Sequence, residues 1–169
     1  DWESDSLELY YVYDYQGTDT AEARQSDNYR TYGVLYNWPA AKTCCPTGWH
    51  LATDEEWRTL EEHLGMDPSE VGSLKWRNSG EVGLKMKSDT GWDSDGIGDN
   101  SSTLAILPGG SRGGGSFNGI GIRANLWTSS MNQVNTIWYR YLSYNNNGVY
   151  RYGQKGILGF SVRCVKDKT

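Results

Sequence analysis

Three cysteines, two histidines and one run of aspartates are the residues of this 169-residue chain best suited to catalysis or metal binding. Cys44, Cys45 and Cys164 offer thiols for a disulfide, a metal or a nucleophile. Their odd number leaves at least one free thiol or an intermolecular bond. There is no Cys-x-x-Cys pair, and only His50 and His63 accompany the cysteines, so zinc is not indicated. No Cys-His-Asp grouping is suggested either, and His50, between Trp49 and a helix, reads as structural. Asp93-Ser94-Asp95-Gly96-Ile97-Gly98-Asp99-Asn100 brings the carboxylates of Asp93, Asp95 and Asp99 close together between glycine bends, which suits a hard cation such as calcium. The glutamate that closes an EF-hand loop is missing, and a solvated acidic turn is the competing reading. Gly113-Gly114-Gly115-Ser116 lacks the Lys-Ser/Thr and the strand–helix setting of a phosphate loop, so it reads as a flexible loop.

The second concentration of chemistry is a polar-aromatic region near the end, residues 127–158. Trp127, Tyr139, Tyr141, Tyr144, Asn145, Asn147, Tyr150, Tyr152, Gln154, Ile157 and Leu158 are its candidate ligand-binding residues. Tyrosine supplies rigid amphipathic contact area and asparagine supplies adaptable hydrogen bonds, the mixture found in binding loops. The competing reading is that these are ordinary sheet and core aromatics, since in one alternation half the rings must turn inward. Tyr150 and Tyr152 share strand parity, so both can face a ligand.

Composition limits what can hold these residues. The length suggests one domain. Only 37% of residues are hydrophobic, yet there are 8 Trp and 12 Tyr against 2 Phe, so much of the core must be built from rings with polar handles. The 21 glycines point to a loop-rich fold instead of a helical bundle. A net charge of −5 without any basic run argues against nucleic acid as partner. No apolar stretch approaches membrane-spanning length. No signal peptide is visible at Asp1-Trp2-Glu3, which reads as a trimmed or mature end and bears little on export.

The pattern predicts a strand over 9–15, a loop over 17–28, a strand over 31–36 and a short helix over 39–43. The clearest helix spans 54–64. Thr53 and Glu56 make a capping box, Trp57, Leu60 and Leu64 form an apolar stripe, and Gly65 is a natural stop. Residues 66–125 read mainly as packed loop, with seven glycines between Gly109 and Gly121. Asn145-Asn146-Asn147-Gly148 signals a turn, so 136–144 and 148–152 are expected to form a hairpin. A closing strand over 159–165 places Phe160, Val162 and Cys164 on one face.

Several segments resemble the Fibrobacter succinogenes major paralogous domain, in that family's order and over about residues 32–165. They are Tyr32-Gly33-Val34-Leu35-Tyr36-Asn37-Trp38, Cys45-Pro46-Thr47-Gly48-Trp49-His50-Leu51-Ala52-Thr53-Asp54-Glu55-Glu56-Trp57, Gly91-Trp92, Leu107-Pro108-Gly109-Gly110, Leu126-Trp127-Thr128-Ser129-Ser130, Trp138-Tyr139-Arg140-Tyr141-Leu142 and Gly159-Phe160-Ser161-Val162-Arg163-Cys164-Val165. The resemblance implies an α+β, C-type-lectin-like fold of the formylglycine-generating-enzyme branch, with a short antiparallel sheet, two helices and long irregular loops. Residues 32–169 would form that domain, and 1–31, which lack the family's usual opening motif, would extend it with a strand and loop. The resemblance pairs Cys45 with Cys164 and leaves Cys44 spare. The alternative is three reduced, buried thiols. It also implies an exported protein, extracellular or at the cell surface. Domains of this kind occur as variable proteins of diversity-generating retroelements, whose variation would fall within 131–158. The sugar-binding Glu-Pro-Asn and Gln-Pro-Asp triplets of calcium-dependent lectins are missing, and the cysteine pair that such oxidases use is tied up by the implied disulfide. The expectation is therefore a non-enzymatic binding or display module, with an unidentified protein or glycan as partner and no required cofactor, calcium being the one ion its acidic segment would admit. The alternative is a carbohydrate-binding or adhesive component of a bacterial surface.

Overall fold

The structure is a computed structural model, and it describes residues 5–93, 96–132 and 134–168. The described residues form a mixed α+β fold in which strands predominate. In chain order the elements are β1 (Tyr10–Tyr11), α1 (Thr20–Ala23), α2 (Asp27–Tyr32), β2 (Leu35–Tyr36), α3 (Trp38–Ala41), β3 (Trp49–Leu51), α4 (Asp54–His63), β4 (Lys75–Arg77), α5 (Val82–Met86), β5 (Gly109–Gly113), β6 (Ser116–Ile120), β7 (Arg123–Met131), β8 (Ile137–Ser143), β9 (Val149–Gln154) and β10 (Cys164–Lys166).

Six strands make the main sheet in the order β4-β9-β8-β7-β5-β6. All its pairings are antiparallel except the single parallel contact of β5 with β7 at Gly110 and Ala124. Two smaller sheets pair β1 with β2 and β3 with β10. The last segment stitches the three together, because Phe160 bridges to Tyr36, Gly159 to Arg112 and Ser161 to Leu126.

Helix α4 begins where the sequence says it should. Thr53 Oγ1 accepts the Glu56 N–H at 3.1 Å and the Glu56 carboxylate accepts the Thr53 N–H at 2.8 Å, which satisfies two of the donors that every helix start leaves open. Its inward face carries the expected apolar stripe and adds two acids to it. Asp54, Trp57 and Glu61 are the buried residues, while Leu60 and Leu64 are partly buried beside the core. That core joins Trp57, Met66, Val82, Met86, Trp92, Leu126, Leu142 and Val149 between α4, α5 and one face of the sheet. A second cluster of Ala41, Leu51, Trp127, Ile137 and Phe160 fills the opposite side near β2 and α3.

Two expected loops are ordered elements. Residues 17–28 contain α1 and the start of α2, capped by Asp19, which accepts the Ala21 N–H at 2.8 Å, and by Ser26, which accepts the Tyr29 N–H at 3.2 Å. The expected strand over 31–36 shrinks to Leu35–Tyr36, because the α2 turn runs through Tyr32. The glycine-rich stretch is a hairpin of β5 and β6, not a flexible loop. Gly114 and Gly115 turn it with φ of 59° and 76°, a pair of positive angles that suits a two-residue hairpin turn. Gly110, at φ 71°, sits so close to the Asn118 carbonyl that an added Cβ would lie 2.6 Å from it.

The β8–β9 hairpin forms as the Asn-Asn-Gly signal predicts. Its tip is fastened from α5 and the residue after it. The Leu84 N–H donates to the Asn147 carbonyl at 3.0 Å, and buried Lys87 donates through Nζ to the carbonyls of Ser143 at 3.2 Å and Asn146 at 3.3 Å. Burial pushes the pKa of Lys87 down.

Candidate functional site

Three neighbouring strands carry one motif: Lys75-Trp76-Arg77 on β4, Tyr139-Arg140-Tyr141 on β8 and Tyr150-Arg151-Tyr152 on β9. Because successive side chains of a strand point to opposite faces, rings collect on one side and guanidinium groups on the other. Register confirms it: Trp76 lies opposite Tyr150, Tyr150 opposite Tyr141, Tyr152 opposite Tyr139, and Arg151 opposite Arg140.

On the inward side the arginines meet the acids of α4. Arg140 bonds Glu61 at 2.6 Å and Asp54 at 2.7 Å, Arg151 bonds Asp54 at 2.6 Å, and Arg77 bonds Glu61 at 2.9 Å. Two carboxylates face three guanidiniums, and main-chain carbonyls help hold the excess cation: Val71 accepts from Arg77 at 2.8 Å and Gly72 from Arg151 at 3.0 Å. Burial works against the Asp54 carboxylate, but hydrogen bonds and charge from Arg151 and Arg140 outweigh it and hold its pKa below the usual value. Burial lowers the pKa of Arg77 despite its bonds to Glu61. Arg151 also lies 3.8 Å from the centre of the Trp138 ring, a cation–π contact. The network fixes where β4, β8 and β9 lie on α4, and so where the rings stand on the far side.

On that far side the rings form a continuous cluster. Trp76 touches Tyr141 at 5.3 Å and Tyr150 at 5.4 Å between centroids, Tyr141 touches Tyr150 at 5.9 Å, and Tyr150 touches Tyr152 at 6.1 Å and Tyr139 at 6.4 Å. Each such pair contributes about 0.5–1.5 kcal/mol beyond the area it covers. Tyr139 is the inner end of the series, 5.3 Å from Phe160, and burial pushes its pKa up to about 12. Tyr152 is the outer end, 42% exposed. Trp76, Tyr141 and Tyr150 are half-buried.

The remaining candidates scatter around this cluster. Tyr144 is exposed just past β8 but makes no ring contact with the cluster among the described residues. Asn145 and Asn147 are exposed at the hairpin tip, where the Asn145 amide oxygen accepts from Ser143 Oγ at 2.7 Å and Asn147 donates to Glu81 at 3.1 Å. Gln154 is half-buried and its Oε1 accepts the Lys155 N–H at 2.9 Å. Ile157 is half-buried, and Leu158 packs beside the second core cluster. Trp127 departs from expectation. It lies opposite Tyr139 on the ring side of the sheet but is fully buried, tilted against Phe160 with centroids 4.3 Å apart, and its indole N–H donates to the Tyr36 carbonyl at 2.8 Å, so it is core beside the cluster and closed to a ligand. Trp76, half-buried in the centre of the cluster, was missed because 66–125 read as loop. A tryptophan between Lys75 and Arg77 was the period-two signal available.

Of the three aspartates proposed for a cation, Asp95 lies outside the described residues. Asp93 and Asp99 are exposed, and Asp99 spends its carboxylate on the Ser101 N–H and hydroxyl at 2.9 and 2.8 Å. The cysteines resolve as the resemblance implied. Cys45 and Cys164 form a disulfide with Cα atoms 5.8 Å apart, and Cys44 is free. All three sulfurs lie within 4.8 Å of one another, but oxidation of two removes the thiolates a metal would need. Burial pushes the Cys44 thiol up. His50 is held on both sides, Nδ1 at 2.6 Å from Asp167 and Nε2 at 2.9 Å from Glu56.

The Fibrobacter succinogenes major domain model matches residues 3–166, nearly the whole chain. The chain belongs to that family. No curated protein and no solved structure matches it. The match makes residues 5–31 part of the Fibrobacter succinogenes major domain. They enter the fold through β1, which pairs with β2, and through the Leu9 N–H, which donates to Asn37 Oδ1 at 2.9 Å. Among the described residues no helix of this domain is long and apolar enough to cross a membrane.

Proposed function

We propose that this domain is a non-enzymatic, extracellular or cell-surface binding module with a C-type-lectin-like fold, and that it binds a macromolecule through the ring face of β4, β8 and β9. One observation carries the reading: five contacting rings, open at Tyr152, rest on a sheet whose other side is locked to α4 by buried ion pairs. Rigid aromatic area that loses little freedom on binding is the usual source of interface affinity. The exposed tip residues Tyr144, Asn145 and Asn147 would form the adaptable rim, and residues 131–158 are where retroelement-driven variation would act. The mixed α+β layout, the long irregular segments between α5 and β5, and the disulfide support the lectin-like assignment. Occupied Cys45, a raised Cys44 pKa and a His50 engaged by two carboxylates favour binding over catalysis.

The test is labelled protein on paired arrays of glycans and of cell-surface proteins, with and without a calcium chelator. Tyr152→Ala should abolish the features that wild-type protein lights up while leaving the melting temperature unchanged. An equal loss of binding and melting temperature would return the tyrosines to a core role. Sugar features erased by chelator would favour the second reading, a calcium-dependent carbohydrate-binding or adhesive component, to which the acidic segment at 93–100 lends some support.

A further inference from the structure

The chain is acidic overall, yet one cleft in it is lined by two cations and no carboxylate. The cleft, about 270 Å³, opens between α2 with its capping residue Gly33 and the segment before β10. Arg163 and Arg30 line it together with the hydroxyl-bearing Ser161, Thr31 and Tyr32, and buried Leu126 forms part of its floor.

Arg163 is the unusual member. Among the described residues its guanidinium donates one hydrogen bond, from Nη1 to the neighbouring Val162 carbonyl at 3.2 Å, and forms no ion pair. Three buried arginines of the main sheet, Arg77, Arg140 and Arg151, are each met by an α4 carboxylate. Burial pushes the pKa of Arg163 down. A guanidinium carries five donors, so most of its capacity is unspent. Arg30 leans on Asp27 at 3.6 Å, but that pair is exposed and weak. The hydroxyls of Ser161, Thr31 and Tyr32 make no hydrogen bond to other described residues. The carbonyl end of α2 opposes an anion, but a helix of six residues has a small dipole.

We propose that this cleft is an anion-binding site that takes a small oxyanion group, a carboxylate, sulfate or phosphate, by charge-assisted hydrogen bonds from Arg163 and Arg30. Its volume fits such a group on a single sugar-sized ring better than an extended chain. None of its lining residues belongs to the ring face, so the two sites can be tested apart.

The experiment is amide NMR titration of the intact domain with four probes: D-galacturonate, sodium sulfate, inorganic phosphate and the neutral methyl galactoside. Sodium chloride holds ionic strength constant. At least one oxyanion should give saturable shifts at residues 30–33 and 161–163, and the neutral sugar should give none there. A response to galacturonate alone identifies a carboxylated sugar, and one to phosphate or sulfate identifies the free tetrahedral ion. Arg163→Gln should weaken binding about tenfold, the size of one charge-assisted hydrogen bond. Arg163→Lys should weaken it less, and Tyr152→Ala not at all. If Arg163→Gln does not fold, Arg30→Gln, on the exposed side of α2, carries the test and should also weaken binding. The proposal is overturned if no oxyanion saturates these amides, if the neutral sugar binds equally, or if the folded arginine variants bind like wild type.

Discussion

His50 shows how one side chain ties chain segments that sequence keeps far apart. It sits on β3, opposite Val165 of β10, and bridges Asp167 to Glu56 in the first turn of α4. The bond to Asp167 first, then that to Glu56, raises its pKa above the ordinary 6.5. The folded state therefore binds the proton more tightly than the unfolded chain. The stabilisation is fully present below 6.5 and is lost as pH rises through the raised folded value. Denaturant midpoints of the wild type should fall between about pH 6 and pH 8, where histidine titrates, while those of His50→Gln should stay flat over that window. NMR titration of the His50 ring should return a pKa above 6.5. A wild-type midpoint that does not fall would mean both bonds are lost to solvent. The residue type could be read from sequence but its partners could not, since Asp167 lies 117 residues away.

At the level of elements, α4 and the ring strands are two halves of one device. The capping box and stop signal of α4 are local, so the sequence displayed the helix almost to its ends. Its inner face was another matter. Nothing local marks Asp54 and Glu61 for burial, and the arginines that claim them are 16 to 97 residues away. The hint lay in the strands: an arginine beside an aromatic on β4, β8 and β9 puts charge wherever the rings are not. Glu61→Gln should lose about 3–5 kcal/mol in urea unfolding, because it leaves Arg77 and Arg140 enclosed without their shared anion. Replacing Glu61 and Arg77 together with leucine and methionine should cost less, since no charge would then be stranded between those two positions. A Glu61→Gln loss under 1 kcal/mol would show that water reaches the network. The glycine-rich hairpin was hidden for the opposite reason. β5 and β6 have few side chains to alternate, so period-two logic had little to read.

Across the whole molecule, the disulfide and the final segment close the fold. The Cys45–Cys164 bond joins residues 119 apart and anchors β10 beside β3, next to the start of α4. In the chain-entropy account, closing a loop of that order stabilises by about 4–5 kcal/mol. Changing both cysteines to serine should cost about 2–5 kcal/mol in guanidinium unfolding, and Cys44→Ser should change little. Equal losses for both variants would mean that burial of Cys44, not the cross-link, is the larger contribution. The fastening of the β8–β9 tip has a different consequence. Leu84 and Lys87 grip it by the main-chain oxygens of residues 143, 146 and 147, atoms that every amino acid presents alike. Such a grip is blind to the genetic spelling of the outward positions. Tyr144, Asn145 and Asn147 could be rewritten many times over, and each new text would be held up in the same place.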